Sequence, residues 1–294
     1  MKRPAPREPR PVEHLDVSTA SGRTYLNQSG AGNPDAILLL HGSGPGASAW
    51  SNWRLLLPVL GDTFRCLAPD FVGFAASEHP ENPPVGASAW LDLWVRQITD
   101  FLDALGLERV HLVGNSLGGA IALHLASRHP RRFKRIALMG SVGVPFTMNP
   151  KLDAIWGFYT NPSVEKMREM IGWFAYRPET FSEDLGTIAR MRYDAAMDAK
   201  VRCSYQTMFP APRQRHVDAC VLPDDALERI EHPCLLIHGR DDLIVPLETS
   251  LYLLQKLPDV RLHVFGQCSH WTQIEYADEF ERLLRDFFLE ETRR

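Results

Sequence analysis

The sequence has few cysteines, and their spacing excludes the usual cysteine-based sites. Five occur among 294 residues, at Cys66, Cys203, Cys220, Cys234 and Cys268. None forms a Cys-x-x-Cys pair, and none has the spacing to histidine that zinc sites show. We therefore expect reduced thiols in a cytoplasmic protein, with no bound metal and no cofactor.

Long apolar runs and clustered positive charge are also missing. The longest apolar segments are short, such as Ala36–Leu40, whereas a membrane-spanning helix needs ~18 consecutive apolar residues. The basic, proline-rich residues 1–10 lack the apolar core of a signal peptide. The net charge is −4, and the lysines and arginines are scattered along the chain. We therefore expect neither a membrane nor a nucleic acid as a partner.

What the sequence does contain is a series of short apolar runs separated by helical patterns. Continuous apolar runs of this length are typical of strands that are buried on both faces. The predicted strands are Ala36–His41, Phe64–Pro69, Arg109–Val113, Phe133–Met139, Cys234–His238 and Arg261–Phe265. The predicted helices are Trp50–Leu60, Ala87–Leu105, Leu117–Arg128, Leu247–Leu257 and Glu275–Leu289. This alternation predicts an α/β fold with a mainly parallel, doubly covered sheet.

The alternation stops after the fourth predicted strand. Helical segments rich in Met, Trp, Phe and Tyr follow at Leu152–Tyr159, Ser163–Phe174 and Leu185–Met197. Helices inserted there would lie over the carboxyl ends of the strands, where open α/β sheets bind ligands. We predict a helical lid at residues 145–212, a core domain at residues 14–144 and 213–294, and a disordered leader at residues 1–13. The alternative interpretation is that these segments are further core helices.

One segment predicts a strand, a very tight turn and a helix rich in small residues. Its turn, Gly114-Asn115-Ser116-Leu117-Gly118, matches the pattern G-x-S-x-G. Small residues on either side let the strand and the helix approach closely, and the serine is then held strained and exposed in a nucleophile elbow. Ser116 is therefore the candidate nucleophile. The alternative is an ordinary serine in a strand-to-helix loop.

A serine hydroxyl needs a base to remove its proton, and the base needs a third group to hold it. The expected chain order is serine, acid, histidine. Two acids, Asp241 and Asp242, follow a predicted strand, and the residues alone do not choose between them. His270 lies between the last predicted strand and the last predicted helix. It is therefore the candidate base, although an isolated histidine is more often structural.

A glycine-rich loop, His41-Gly42-Ser43-Gly44-Pro45-Gly46, follows the first strong strand. A loop at this place can donate one backbone N–H to an oxyanion, and Leu117, directly after the nucleophile, can donate another. A phosphate-binding loop is the competing interpretation. The spacing disfavours it, because it fits neither G-x-x-x-x-G-K-[ST] nor G-x-G-x-x-G.

Together these segments resemble the meta-cleavage product hydrolases, which are carbon–carbon bond hydrolases of aromatic degradation within the α/β-hydrolase superfamily. The likeness extends over most of the chain, from about His41 to Leu289, and is greatest to the 2-hydroxymuconate semialdehyde hydrolase branch. It rests on His41–Ala47 with Trp50–Trp53, Gly114–Ser116, Gly140–Val144, Met208–Gln214, Gly239–Asp242 with Val245–Leu247, and His270–Glu275.

The resemblance implies a role for each candidate residue. Ser116, Asp242 and His270 match the family's triad, in which the acid is the second of the paired acidic positions. Ser43 and Leu117 match the oxyanion positions. The residues that match the family's dienoate-binding positions are Asn52, Asn115, Arg192 and Trp271. The implied reaction is cleavage of the C5–C6 bond of a 2-hydroxy-6-oxohexa-2,4-dienoate, by a homodimer or higher homo-oligomer without a cofactor.

Two positions depart from the family pattern. Ser269 and Ala75 stand where Gly is usual, and a Cβ there penalises a positive φ. Candidate residues around the C6 substituent are Phe146, Ile171, Phe174 and Met208.

Two alternative functions remain. A general carboxylesterase would use the same triad without a carboxylate clamp, and a non-catalytic binding protein would keep only the pocket.

Overall fold

A single eight-stranded sheet forms the centre of the molecule. The computed structural model describes residues 10–180 and 184–290. The strands are β1 (Val12–Thr19), β2 (Gly22–Ser29), β3 (Ala36–Leu40), β4 (Arg65–Pro69), β5 (Val110–Asn115), β6 (Phe133–Met139), β7 (Cys234–Gly239) and β8 (Val260–Phe265). They lie in the order β1-β2-β4-β3-β5-β6-β7-β8. In this order, all neighbouring pairs from β4 to β8 are parallel. Strand β2 pairs antiparallel with both β1 and β4.

Helices connect the strands and cover both faces of the sheet. They are α1 (Ala49–Trp53), α2 (Leu57–Leu60), α3 (Ala87–Ala104), α4 (Leu117–Arg128), α5 (Pro150–Trp156), α6 (Val164–Trp173), α7 (Leu185–Met197), α8 (Ala199–Met208), α9 (Gln214–Cys220), α10 (Asp224–Leu227), α11 (Glu248–Lys256), α12 (Thr272–Glu275) and α13 (Ala277–Leu289). Short 3-10 turns lie at Pro130–Arg132, Phe158–Thr160 and Pro178–Thr180.

The predicted fold class is confirmed, and each predicted strand is present with its ends within two residues. Every residue of β3, β5 and β7 is buried, because one apolar cluster lies on each face. Trp90 of α3 and Ile121 of α4 belong to one cluster. Trp53 of α1 and Phe280 of α13 belong to the other. Burial on both faces accounts for the continuous apolar runs.

The hairpin of β1 and β2 was not predicted. Val12 pairs with Ser29 at one end and Thr19 with Gly22 at the turn. Most β1 side chains are exposed, so the strand has no continuous apolar run that could reveal it. The predicted boundary of the leader at residue 13 is wrong, because β1 already begins at Val12. Residues 1–9 of that predicted leader lie outside the described residues.

Two predicted helices are wrong in their extent. The segment predicted as Trp50–Leu60 consists of α1 and α2, separated by Arg54–Leu56. Pro58 lies in the first turn of α2, where its missing N–H is tolerated but a helix continuing from upstream would be interrupted. The segment predicted as Glu275–Leu289 contains the end of α12 and then α13, with Tyr276 between them.

In the described part of the segment between β6 and β7, six helices, α5 to α10, are inserted. The α7 prediction matches its observed range, whereas the piece predicted as Leu152–Tyr159 is α5 followed by a 3-10 turn. Helix α8 was not predicted. Its signal lies in capping rather than in apolar spacing, because the Asp198 carboxylate accepts the N–H groups of Lys200 and Val201. The division into a lid at 145–212 and a core remains a prediction.

Candidate active site

Ser116 lies in a strained turn between β5 and α4. Its φ is 54° and its ψ is −115°, a backbone region that costs roughly 1–3 kcal/mol for a residue with a side chain. Surrounding hydrogen bonds hold this conformation. The Ser116 N–H donates to the Met139 carbonyl at 2.9 Å, and the Ser116 carbonyl accepts the N–H groups of Gly119 and Val142 at 2.9 and 3.2 Å.

The glycines of the turn are required by close backbone contacts. A Cβ at Gly114 would lie 2.5 Å from the Gly118 carbonyl oxygen, and a Cβ at Gly118 would lie 2.4 Å from the Leu40 carbonyl oxygen. Neither distance is sterically allowed. The pattern G-x-S-x-G therefore has a mechanical reason here, and Ser116 occupies the conformation expected of a nucleophile elbow.

Asp242 and His270 form a buried pair. His270 Nδ1 lies 2.7 Å from Asp242 Oδ2, and both side chains are almost fully buried. The other Asp242 oxygen accepts the N–H groups of Ile244 and Val245 at 2.7 and 3.0 Å. Asp241 instead lies 3.2 Å from Arg240 and is partly exposed. Of the two acids that the sequence left open, the structure therefore brings Asp242 to the histidine.

A second histidine, His238, also contacts Asp242 and was not predicted. Its Nε2 lies 3.3 Å from Asp242 Oδ2 and 3.0 Å from the Val245 carbonyl oxygen. Because both neighbours are acceptors, Nε2 carries the proton, and Nδ1 accepts from the Ser250 hydroxyl at 2.7 Å. The only sequence signal for His238 is its place at the end of β7, four residues before Asp242.

These contacts keep the Asp242 carboxylate ionised. Burial by itself raises the pKa of Asp242, but the electrostatic interactions and hydrogen bonds with the His270 and His238 rings hold that pKa well below its usual range. An ionised carboxylate fixes the His270 ring with a proton on Nδ1. Nε2 of His270 is then the nitrogen that can accept a proton.

Gly140 connects the serine turn to the Asp242–His270 pair. It follows Met139, which accepts the Ser116 N–H. Its φ is +48°, and a Cβ there would lie 3.0 Å from the His270 ring and 3.3 Å from Asp242 Oδ2. The serine, the acid and the histidine thus follow the carboxyl ends of β5, β7 and β8, which belong to one parallel array.

The loop after β3 lies directly against the serine. A Cβ at Gly42 would lie 3.2 Å from Ser116 Cβ. Leu117 is the first residue of α4, so its N–H has no acceptor within the helix. The Ser43 hydroxyl oxygen accepts from Trp156 Nε1 at 2.9 Å, which ties this loop to inserted helix α5. The predicted oxyanion residues therefore adjoin the nucleophile.

His41 holds the same loop in place. Its Nε2 accepts the Phe71 N–H at 3.1 Å, so Nδ1 carries the proton and donates to the Gly42 carbonyl at 2.8 Å. Burial lowers the pKa of His41 to about 4. A neutral histidine with both nitrogens committed has a structural role.

Asn52 and Asn115 form a polar pair beside the serine. Asn52 Oδ1 accepts from the Gly42 N–H at 3.1 Å and from Asn115 Nδ2 at 2.8 Å. Within the described residues, Asn52 Nδ2 and Asn115 Oδ1 are buried without a hydrogen-bond partner. A buried polar atom left unpaired costs about 1–3 kcal/mol. The pair thus has one donor and one acceptor available to a polar ligand.

Arg192 and Trp271 line the same inner pocket as the two asparagines. Arg192 Nε donates to the Pro45 carbonyl at 3.2 Å, and its guanidinium lies 5.8 Å from the centre of the Trp271 ring. Trp271 stacks on Phe174 at 4.8 Å. Burial lowers the pKa of Arg192 to about 10, so Arg192 is still a cation at neutral pH.

Two cavities adjoin these residues. An inner pocket of about 10 Å³ is lined by residues that include Ser43, Asn52, Asn115, Phe174, Arg192, His270 and Trp271. An outer cavity of about 840 Å³ shares Ser51, Arg192 and Trp271 with it. The inner pocket therefore lies against His270 and the asparagine pair, and the outer cavity adjoins it.

Of the four residues predicted around the C6 substituent, only Phe174 lines either of these two cavities. Ile171 and Met208 are buried in the apolar cluster, and Phe146 packs against it. The place of these three residues around the C6 substituent remains a prediction.

Comparisons with known proteins agree with this geometry. Residues 37–283 match the family described as "Alpha/beta hydrolase family". The chain is 46% identical over 275 residues to the 2-hydroxymuconate semialdehyde hydrolase of Pseudomonas sp. strain CF600, covering 94% of this chain and 93% of that protein. It is also 46% identical to the 2-hydroxy-6-oxo-2,4-heptadienoate hydrolase of Pseudomonas putida, over 91% of this chain and 93% of the relative.

A solved structure gives the same answer. The meta-cleavage product hydrolase of Pseudomonas fluorescens IP01 matches with a TM-score of 0.87 and 40% identity, covering 93% of this chain and 97% of that one. The chain belongs to the α/β-hydrolase family, in the group of meta-cleavage product hydrolases. No helix of this hydrolase, within residues 10–180 and 184–290, is long and apolar enough to cross a membrane.

The two departures from the family have different consequences in this hydrolase. Ser269 is not among the residues with positive φ, and its hydroxyl donates to the Trp173 carbonyl at 2.9 Å. Its Cβ is therefore accommodated, and the side chain ties the His270 loop to α6. Ala75 has a φ of 45°, so its Cβ does impose strain on the turn after β4.

Proposed function

We propose that the protein is a hydrolase that cleaves the C5–C6 bond of 2-hydroxy-6-oxohexa-2,4-dienoates. The products are 2-hydroxypenta-2,4-dienoate and a carboxylic acid. The observation that carries the proposal is that Arg192 lines the same inner pocket as His270. A cation beside a serine-triad arrangement suits a substrate with a carboxylate at one end and an electrophilic carbonyl at the other.

Each residue has a task in this reaction. Arg192 binds the carboxylate, while Asn52 and Asn115 supply a donor and an acceptor to the polar end of the substrate. His270 moves the proton that converts the dienol to its keto form by protonation at C5. Ser116 then engages the C6 carbonyl, whose oxygen accepts hydrogen bonds from the N–H groups of Ser43 and Leu117.

Bond cleavage then returns electrons to the end held by Arg192. The C5–C6 electron pair moves into the conjugated chain toward the 2-oxygen, and the cation stabilises the charge that develops there. Overall, water supplies the hydroxyl of the new acid at C6 and the hydrogen at C5. Because the names of the two relatives specify a semialdehyde and a heptadienoate, we propose hydrogen or a small alkyl group at C6.

Turnover of the yellow dienoate chromophore tests the proposal. The purified protein should bleach 2-hydroxymuconate semialdehyde and its 6-methyl analogue. Ser116→Ala should lower kcat roughly 10³-fold or more, because the activated hydroxyl is lost. Unchanged absorbance with a panel of 6-substituted dienoates would contradict the proposed reaction.

Replacement of Arg192 separates this function from that of a general carboxylesterase. Arg192→Gln should lower kcat/KM for dienoates roughly 10- to 100-fold, because charged hydrogen bonds to the carboxylate are lost. Hydrolysis of p-nitrophenyl acetate, which carries no carboxylate, should stay within about twofold. A parent protein that hydrolyses the ester and no dienoate would favour the carboxylesterase instead.

The location and assembly of the protein are part of the same proposal. We propose a cytoplasmic homodimer or higher homo-oligomer, with no metal or cofactor taking part. All five cysteines are free, and four of them are buried, which suits a reducing compartment. Light scattering coupled to size-exclusion chromatography would measure the assembly, and a monomer at working concentrations would contradict it.

A further inference from the structure

The outer cavity has a lining that the proposed reaction does not explain. It has a volume of about 840 Å³ and lies outside the wall that Ser51, Arg192 and Trp271 share with the inner pocket. Arg54 lines the outer cavity but not the inner pocket. Both arginines line the outer cavity, and of the two only Arg192 also lines the inner pocket.

Three arginines, Arg54, Arg177 and Arg192, and one carboxylate, Glu275, line this cavity, so its lining carries a net positive charge. Arg54 Nη1 donates to the Ser51 carbonyl at 3.0 Å. Across residues 10–180 and 184–290, no carboxylate lies within 4.0 Å of the guanidinium of Arg54 or Arg192. Glu275 also lines the cavity, but its two oxygens accept the N–H groups of Ser269 and Tyr176 at 2.8 and 2.6 Å. Both of its oxygens are therefore hydrogen-bonded to the backbone.

The two arginines are close enough to affect each other. Burial is the main cause that lowers the pKa of Arg192, Tyr205 opposes it, and the cation of Arg54 lowers the pKa further. Two cations that face one cavity repel each other, and an anion bound between them would relieve that repulsion. The arrangement is thus more favourable with an anion than without one.

The same cavity exposes apolar side chains beside these cations. Trp50, Leu55 and Met191 line it and are 41%, 45% and 63% exposed. Large apolar side chains grouped at a cavity indicate a binding surface rather than ordinary exposure. Cations beside exposed apolar side chains fit an organic carboxylate with a conjugated carbon chain.

We propose that the outer cavity is a carboxylate-binding entrance site, in which Arg54 binds the carboxylate of an incoming dienoate before it passes to Arg192. This inference rests on the proposed function for the identity of its ligand. Arg54 does not touch the reacting atoms in this arrangement. It raises the local concentration of the anionic substrate and so acts on association and KM rather than on bond cleavage.

A charge-removing variant with a matched control tests the entrance site kinetically. Arg54→Gln should lower kcat/KM for the dienoate roughly tenfold at low salt, with kcat within about twofold, and should remove most of the salt dependence. Arg54→Lys should restore part of the loss. Arg96→Gln removes the same charge from the exposed side of α3 and should change none of these values.

The neutral ester p-nitrophenyl acetate distinguishes an electrostatic role from a structural one. An equal loss of kcat/KM on this ester in Arg54→Gln would overturn the proposal, because a misfolded entrance would harm both substrates. Unchanged dienoate kinetics in Arg54→Gln would also overturn it, as would an equal loss in Arg96→Gln.

Direct binding separates this proposal from the proposed reaction. Sorbate, a hexadienoate anion that offers no C6 carbonyl, should bind to the parent protein in isothermal titration calorimetry. Its Kd should rise roughly tenfold in Arg54→Gln and stay unchanged in Arg96→Gln. If the dienoate is not cleaved but sorbate binding depends on Arg54, the proposed reaction is contradicted and the proposed anion site is supported. Sorbate binding that is equal in Arg54→Gln would remove the site.

Discussion

At the scale of single residues, the Asp242 carboxylate is the most heavily hydrogen-bonded group of the candidate site. Two backbone N–H groups contact one oxygen, and His270 and His238 contact the other. A buried carboxylate needs such partners to stay ionised. Asp241, its neighbour in the chain, contacts Arg240 near the surface. Adjacent residues of the same type therefore have unrelated environments.

The two acids make a matched pair of variants. Asp242→Asn should lower kcat for the dienoate roughly 10³- to 10⁴-fold, because an amide no longer holds His270 with a proton on Nδ1. Asp241→Asn should stay within about threefold. Steady-state kinetics of both variants would check this, and similar losses in the two would contradict the assignment of Asp242 as the triad acid.

At the scale of structural elements, prolines, caps and strained turns decided what the apolar pattern did not predict. Pro58 separates α1 from α2, and Asp198 starts α8 directly after α7. The turn after β4 contains Ala75 in the left-handed region at φ 45°. Next to it, Ala76 donates its N–H to the buried Asp70 carboxylate at 3.4 Å. The chain therefore keeps this turn despite its local cost.

The strain at Ala75 predicts a gain in stability on removal of its Cβ. Ala75→Gly should raise the free energy of unfolding by up to about 1 kcal/mol, because relief of about 1–2 kcal/mol of left-handed strain exceeds the entropic cost of glycine. Ala76→Gly, at an ordinary φ, should lower it by about 0.5–1 kcal/mol. Urea denaturation of both variants would measure this, and losses of equal size would refute it.

At the scale of the whole molecule, a buried histidine that lines neither cavity links stability to pH. His111 of β5 packs against Phe64 and Phe288, and its Nδ1 has no hydrogen-bond partner within the described residues. Burial, reinforced by the Lys134 cation, lowers the pKa of His111 to about 4. Between that value and the ordinary histidine pKa, the unfolded chain binds more protons, so stability falls as the pH is lowered.

Replacement of His111 should therefore reduce the acid sensitivity of the fold. From pH 7 to pH 5, His111→Phe should lose about 2 kcal/mol less unfolding free energy than the parent, because the penalty for a neutral buried imidazole is removed. Denaturant titrations at both pH values would measure this, and parallel losses in the parent and His111→Phe would contradict it.

The fold class and the six parallel strands β3 to β8 could be predicted from the residues, because burial on both faces leaves a continuous apolar run. The sequence also marked Ser116, since its tight turn leaves no room for side chains at Gly114 and Gly118. The edge hairpin of β1 and β2 was not predicted, because a strand with an exposed face has no continuous apolar run. The fold class, the parallel strands and Ser116 follow from residue spacing along the chain. They could therefore be predicted without knowing which residues contact each other.

Which groups meet across the molecule could be seen only in the folded protein. From the residues alone Asp241 and Asp242 were equivalent, and the β7 turn brings just Asp242 to His270. The contact of His238 with that acid, the unpaired amide atoms of Asn52 and Asn115, and the cavity shared by Arg54 and Arg192 also appear only on folding. Apart from the His238 contact, which spans four residues, these features depend on distances between segments far apart in sequence, and no local pattern encodes those distances.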